Sequence, residues 1–142
     1  MVVGSFGDTR NGSGAGALTV VPGASDSAPL LDFDAHRLGL VPDAHFGSAL
    51  SVADVDLDGC ADITVGAPDA STGGVVQLHY GPIEGVGTTG DAMLVDPEVG
   101  AVAGLGTAVG LDADWGWVAG APDHEAGTGR VLFAAATPPP LP

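Results

Sequence analysis

Lysine is missing from this chain, and only three arginines, Arg10, Arg37 and Arg130, stand against 18 acidic residues, for a formal net charge of -15 at pH 7. A field of that sign repels phosphate and anionic headgroups, which excludes nucleic acid and acidic membrane surfaces as partners and leaves divalent cations as the natural counter-species. A single cysteine, Cys60, rules out an internal disulfide, and no Cys/His spacing resembles a zinc site. No apolar run approaches membrane-spanning length. The opening stretch MVVGSFGDTR has no basic segment followed by an apolar one, so any export signal is expected to lie outside this chain. There is no GxSxG, no P-loop and no Cys-His nucleophile pair, and the Gly-x-Gly strings such as Gly12-Ser13-Gly14-Ala15-Gly16 suit turns, so the chain itself is not expected to be an enzyme.

What is present is 45% hydrophobic residues with only 5% aromatics, together with 24 glycines and 11 prolines. That mixture favours many short strands joined by tight turns, an all-β fold. Self-comparison exposes a repeat. Residues 46–81 read FGSALSVADVDLDGCADITVGAPDASTGGVVQLHYG, and residues 105–134 read LGTAVGLDADWGWVAGAPDHEAGTGRVLFA. In both, an apolar-Gly pair opens a strand, Gly-Ala-Pro follows a second strand, and a Gly-rich turn leads into a third; the triplets begin at Gly66 and Gly120. An incomplete copy, VVGSFGDTRNGSGAGALTVVPG, heads the chain. Repetition at this period suggests four-stranded antiparallel β-propeller blades, about two and a half of them, whereas closed propellers use roughly four to eight. The expected division is a partial blade at 1–34, a complete blade at 35–95, a blade with a shortened loop at 96–136, and a Pro-rich tail at 137–142. Outer strands are expected near Leu30–Phe33 and Ala92–Val95. The whole reads as part of a larger propeller.

The stretch DVDLDGCAD, residues 54–62, carries the chemistry. Calcium takes six to eight hard oxygen ligands, and carboxylates at alternate loop positions can wrap one ion. Asp54, Asp56 and Asp58 supply positions one, three and five; Gly59 permits the turn that brings the Cys60 backbone carbonyl to position seven; Asp62 closes the site at position nine. An EF-hand would need an acidic residue at position twelve and flanking helices, but that position is Val65 in an apolar β-like run. The competing reading is an acidic, solvated hairpin turn, since Asp and Gly are common turn residues. Affinity is expected at about 0.1 to 1 mM, the range of extracellular modules. In the last copy the loop is five residues shorter, and Asp112 and Asp114 read as a tight polar hairpin rather than a metal site.

Phe46-Gly47, the Asp54–Asp62 loop and VGAP at residues 65–68 resemble the FG-GAP repeat, which builds the propeller headpiece of integrin α subunits and occurs in many bacterial secreted or surface proteins. Leu105-Gly106 stands for Phe-Gly in the last copy, and Val3-Gly4-Ser5 is what the first retains. The resemblance implies a calcium-stabilised propeller working extracellularly or at the cell surface in adhesion or ligand binding. The partners expected are an unidentified protein or carbohydrate ligand, and further blades in cis or by association. The alternatives are a non-catalytic scaffold within a secreted enzyme or a structural spacer of a surface protein.

Four histidines, His36, His45, His79 and His124, are dispersed without metal-ligand spacing. His124, between Asp123 and Glu125, reads as a solvated turn residue, and His79 as a packed or edge residue rather than one facing a channel. Trp115 and Trp117 would share a face if both lay on a strand, as blade-packing residues or as an exposed pair suited to a sugar or a protein pocket.

Overall fold

The computed structural model describes residues 1–21, 35–39, 41–70, 73–87, 89–96 and 104–135. Short apolar runs bounded by Gly and Asp turns fold into antiparallel ribbons, and these assemble into three sheets. The first holds β1 (Val2–Ser5), β2 (Ala17–Val20) and β3 (Ala35–Leu38). The second contains β4 (Ala49–Ala53), β5 (Asp62–Ala67), β6 (Val75–His79) and β8 (Ala92–Val95), with every neighbour antiparallel. The third contains β9 (Ala108–Asp112), β10 (Gly116–Ala121) and β11 (Arg130–Ala134). Between β10 and β11 a single turn, α1 (His124–Gly127), has Glu125 and Ala126 at positive φ and is not a regular helix. The sheets are blades of a partial β-propeller.

One boundary differs from the expected division. β3 pairs with β2, so it belongs to the first blade instead of opening the second at residue 35. The reason is the ribbon order: the second sheet is already complete with β4, β5, β6 and β8. The outer strand expected at Ala92–Val95 is β8; Leu30–Phe33 and the tail at 137–142 lie outside the described residues. The segment β7 (Val86–Gly87), from the connection between β6 and β8, adds to the first sheet in parallel beside β3. Arg37 reinforces that clip by donating to the carbonyls of Glu84 and Gly85 at 3.3 and 3.2 Å.

Alternation along β5 and β6 makes the second blade two-faced. Ile63, Val65 and Ala67 face the first blade and pack with Leu18, Ala44 and Phe46. Val76 and Leu78 face the third and pack with Leu105, Trp117, Ala119 and Ala121. Every residue of β5 is buried. The apolar-Gly pairs lock one blade to the next. Phe46 makes a parallel bridge to Gly16, and Leu105 makes the equivalent bridge to Gly74. Within their own blades the following glycines donate to the Gly-Ala-Pro glycines, Gly47 N–H to the Gly66 carbonyl and Gly106 N–H to that of Gly120, both at 3.0 Å. Glycine is obligatory at Gly66, because a Cβ there would collide with the Gly106 carbonyl oxygen.

Trp117 is buried on β10. Trp115 lies before the strand in the β9–β10 turn and is 83% exposed, so the two do not share a strand face. His79 is packed, 1% exposed, with its ring edge-on to Phe46 at 6.1 Å. Burial lowers its pKa to about 4, with Arg37 adding to the effect. The expectation of a solvated His124 is overturned. Its ring is buried, with Nδ1 3.0 Å from Asp96 Oδ2, and Arg130 holds the other oxygen at 3.0 Å.

Candidate metal centre

The site occupies the β4–β5 connection. Ala53 pairs with Asp62, so residues 54–61 are extruded from the end of a closed ribbon. Its shape comes from its own side chains. Gly59 N–H donates to Asp54 Oδ2 at 3.0 Å, Asp58 N–H to Asp56 Oδ1 at 3.2 Å, and Cys60 N–H to Asp58 Oδ1 at 2.7 Å. These are the local Asx bonds that short acidic side chains offer to nearby amides. Gly59 has φ of 89°, with open space where a Cβ would stand, so its backbone conformation, not crowding, calls for glycine. Leu57, at φ 61° and 78% exposed, takes a left-handed conformation without glycine.

The fold brings Asp54, Asp56 and Asp58 together: one carboxylate oxygen from each lies within 4.8 Å of the others. Asp54 and Asp56 are half-buried and Asp58 is exposed. Asp56 is held above the usual carboxylate range, first by desolvation and then by the charges of Asp62, Asp58 and Asp54, partly offset by the Asp58 N–H. Asp54 Oδ1 is buried and has no hydrogen-bond partner. A buried carboxylate oxygen without a donor is costly unless something positive reaches it. Three oxygen donors, one of them orphaned, suit a hard cation such as calcium.

Asp62 is placed differently. It is completely buried, and its oxygens accept from Val55 N–H at 2.7 Å and Gly81 N–H at 2.8 Å. It therefore ties the start of the loop to the chain beyond β6. Cys60 carries a free, half-buried thiol whose pKa is raised by desolvation and by Asp58. Tyr80 flanks the same end of the sheet; its pKa is raised by burial and then by Asp62, Asp56 and Asp91. Sequence reasoning missed Tyr80 and Gly81, and no local pattern marks them: Gly81 is 19 residues from Asp62.

The shortened connection of the third blade has the hairpin form expected. Asp112 pairs with Gly116, and Asp112 Oδ1 accepts from the N–H groups of Asp114 and Trp115 at 2.9 and 3.2 Å.

Residues 46–79, from the apolar-Gly pair through β6, match the FG-GAP repeat family. The chain is also similar to phosphatidylinositol-glycan-specific phospholipase D of Mus musculus, with 34% identity over 95 residues covering 60% of this chain and 11% of that protein. The Homo sapiens protein of the same name is 35% identical over 97 residues, covering 60% of this chain and 12% of that protein. The chain thus spans about a ninth of the length of these relatives.

Proposed function

We propose that this chain, which carries an FG-GAP repeat in a partial β-propeller, is a calcium-stabilised, extracellular binding module. The observation that carries this reading is the convergence of Asp54, Asp56 and Asp58, with a buried Asp54 oxygen that no donor reaches. In this reading Asp54, Asp56, Asp58 and the Cys60 carbonyl hold the ion. Asp62, position nine of the motif, stands behind them: it is not in the group whose oxygens lie within 4.8 Å of one another, and its two oxygens accept the Val55 and Gly81 N–H groups that anchor the loop. The cation supplies charge neutralisation between the acidic side chains and a cross-link across the β4–β5 connection. The protein's own part is to hold these carboxylates at short range by the bonds from Gly59, Asp58 and Cys60 N–H. Adhesion or ligand binding then falls to the exposed loops at the blade ends, with a protein or carbohydrate as partner.

A second reading is favoured by the similarity to the named phospholipases D: the chain is a non-catalytic scaffold stretch of an enzyme of that kind. Isothermal titration with calcium and melting with and without chelator test the first reading. A stoichiometric heat, with a rise in melting temperature, is expected. Absence of both at 10 mM calcium, about ten times the weakest Kd expected of such a module, would sink it. Assay of the chain alone against a phosphatidylinositol-glycan addresses the second, with no turnover expected.

A further inference from the structure

The connections that follow β4 and β9 leave the blades side by side. Gly106, which leads into β9, lies against Gly66, the partner of Ala49 at the start of β4. Farther along, Leu111 N–H near the end of β9 donates to Ser51 Oγ in the middle of β4 at 3.0 Å. Contacts at both places make the two strands run the same way, so residues 54–61 and 113–115 emerge at one end of neighbouring blades. Packed sheets stand about 10 Å apart, which sets the gap between the two connections at their bases.

Each connection holds one large apolar side chain in solvent. Leu57 is 78% exposed and Trp115 is 83% exposed. Neither belongs to the cores that join the blades. Leu57 sits at φ 61°, a conformation that costs Gly or Asn less than Leu, so the turn itself does not call for leucine. Trp115 is fixed at its backbone, where its N–H donates to Asp112 Oδ1 at 3.2 Å. Charge then selects what can cover the pair. Asp56 and Asp58 flank Leu57, and the exposed Asp114 precedes Trp115. Acidic loops on a chain of net charge -15 steer cations toward these tips and turn anionic surfaces away. An indole ring adds a face suited to an arginine or lysine cation and a large area to bury.

We propose that Leu57 and Trp115 form a docking surface for an extended basic segment of a partner protein. Apolar residues of that segment cover the two tips, and its cations pair with Asp114 and lie on the Trp115 ring. This names the partner for the binding-module reading and rests on it. It does not rest on calcium, because Asp114 stands outside the Asp54, Asp56 and Asp58 cluster.

The test titrates the whole chain into a labelled hexapeptide of alternating arginine and leucine at about 0.15 M salt, read by fluorescence anisotropy. Hexapeptides of alternating glutamate and leucine, and of arginine and glycine, serve as comparisons. Saturable binding is expected for the arginine-leucine peptide alone, with a blue shift in tryptophan emission. Trp117 is already buried, so that shift reports Trp115. Trp115→Ser and Leu57→Asn should each weaken binding by about tenfold, equal to about 1.4 kcal/mol, with melting unchanged because both positions are exposed. No binding at millimolar peptide, or binding by both variants as tight as the parent's, would overturn the proposal. Equally tight binding of the arginine-glycine peptide would do so too, since general acidity would then account for the effect. A blue shift on phosphatidylcholine vesicles that no peptide produces would seat the tips in lipid instead and also overturn it. Repeating the titration in about 10 mM calcium separates this proposal from the metal site. Binding kept in calcium supports the docking surface, whether or not calcium raises the melting temperature. Binding abolished by calcium would mean that the peptide had only occupied the Asp54–Asp58 carboxylates, and would overturn it.

Discussion

Replacing Asp54 with Asn separates the metal-binding role of the acidic loop from its role as a turn. Asp54 Oδ2 accepts the Gly59 N–H at 3.0 Å, a bond that an Asn carbonyl oxygen can keep. The orphaned Oδ1 becomes an NH2 group, which ends its ability to ligate a cation and offers a donor toward the neighbouring carboxylates. The loop should therefore fold without calcium at least as well as in the parent. The size of the calcium effect follows from linkage. With a Kd of about 0.1 to 1 mM, 10 mM calcium stabilises the folded state by about 1.4 to 2.7 kcal/mol. For a chain of this length that is a rise of roughly 4 to 8 °C in melting temperature. Differential scanning calorimetry in chelator and in 10 mM calcium reads both quantities. The parent should show the rise, and Asp54→Asn should show almost none while matching or exceeding the parent in chelator. A variant that keeps the full rise would refute the assignment of Asp54. A variant that melts much lower in chelator would show that the loop is held by Asp54 as a turn residue only.

Three further outcomes follow from the packing. His79 has its folded pKa depressed to about 4 by burial, against an unfolded value near 6.5. The unfolded chain therefore binds the proton first: stability is complete above pH 6.5, falls as pH drops toward 4, and is level below. The loss is at most about 3 kcal/mol. His79→Leu should flatten that part of the urea-denaturation profile, and a profile unchanged from the parent would contradict the burial argument. Phe46→Ala should cost about 3 to 5 kcal/mol by urea denaturation, because Phe46 is 2% exposed between two blades. Gly66→Ala should lower stability by about 1 to 3 kcal/mol through its collision with the Gly106 carbonyl. The chemically identical Gly120→Ala, where the added Cβ has room, should be neutral in the same denaturation assay, and equal costs for the two would remove the distinction between a covered and an open blade face.

Much of the candidate site was legible because its logic is local. Asp54, Asp56, Asp58 and Gly59 lie within six consecutive positions, and the loop's own side-chain to backbone bonds bring the three carboxylates to one place. Asp62 belongs to the same motif by spacing, yet its surroundings come from elsewhere: Gly81, across the blade, supplies one of its donors. His124 misled for the same reason. A histidine between two acidic residues in a turn has every local mark of solvation, but its ring is buried against Asp96, 28 residues earlier in the chain.

By itself the sequence determined the all-β class, the repeat, the Asp54–Asp58 cluster and the hairpin at Asp112, because strand alternation, Asx turns and left-handed glycines act over a few residues. Tertiary structure alone decided that β3 closes the first blade, that Asp62 anchors the loop from behind, and that His124 is desolvated. It also decided which blade face is covered. Val76 and Val131 occupy the same place in the repeat, and only the presence of a neighbouring blade buries one and leaves the other in water. Desolvation depends on which surfaces meet, and that is a property of the assembled blades rather than of any short stretch of chain.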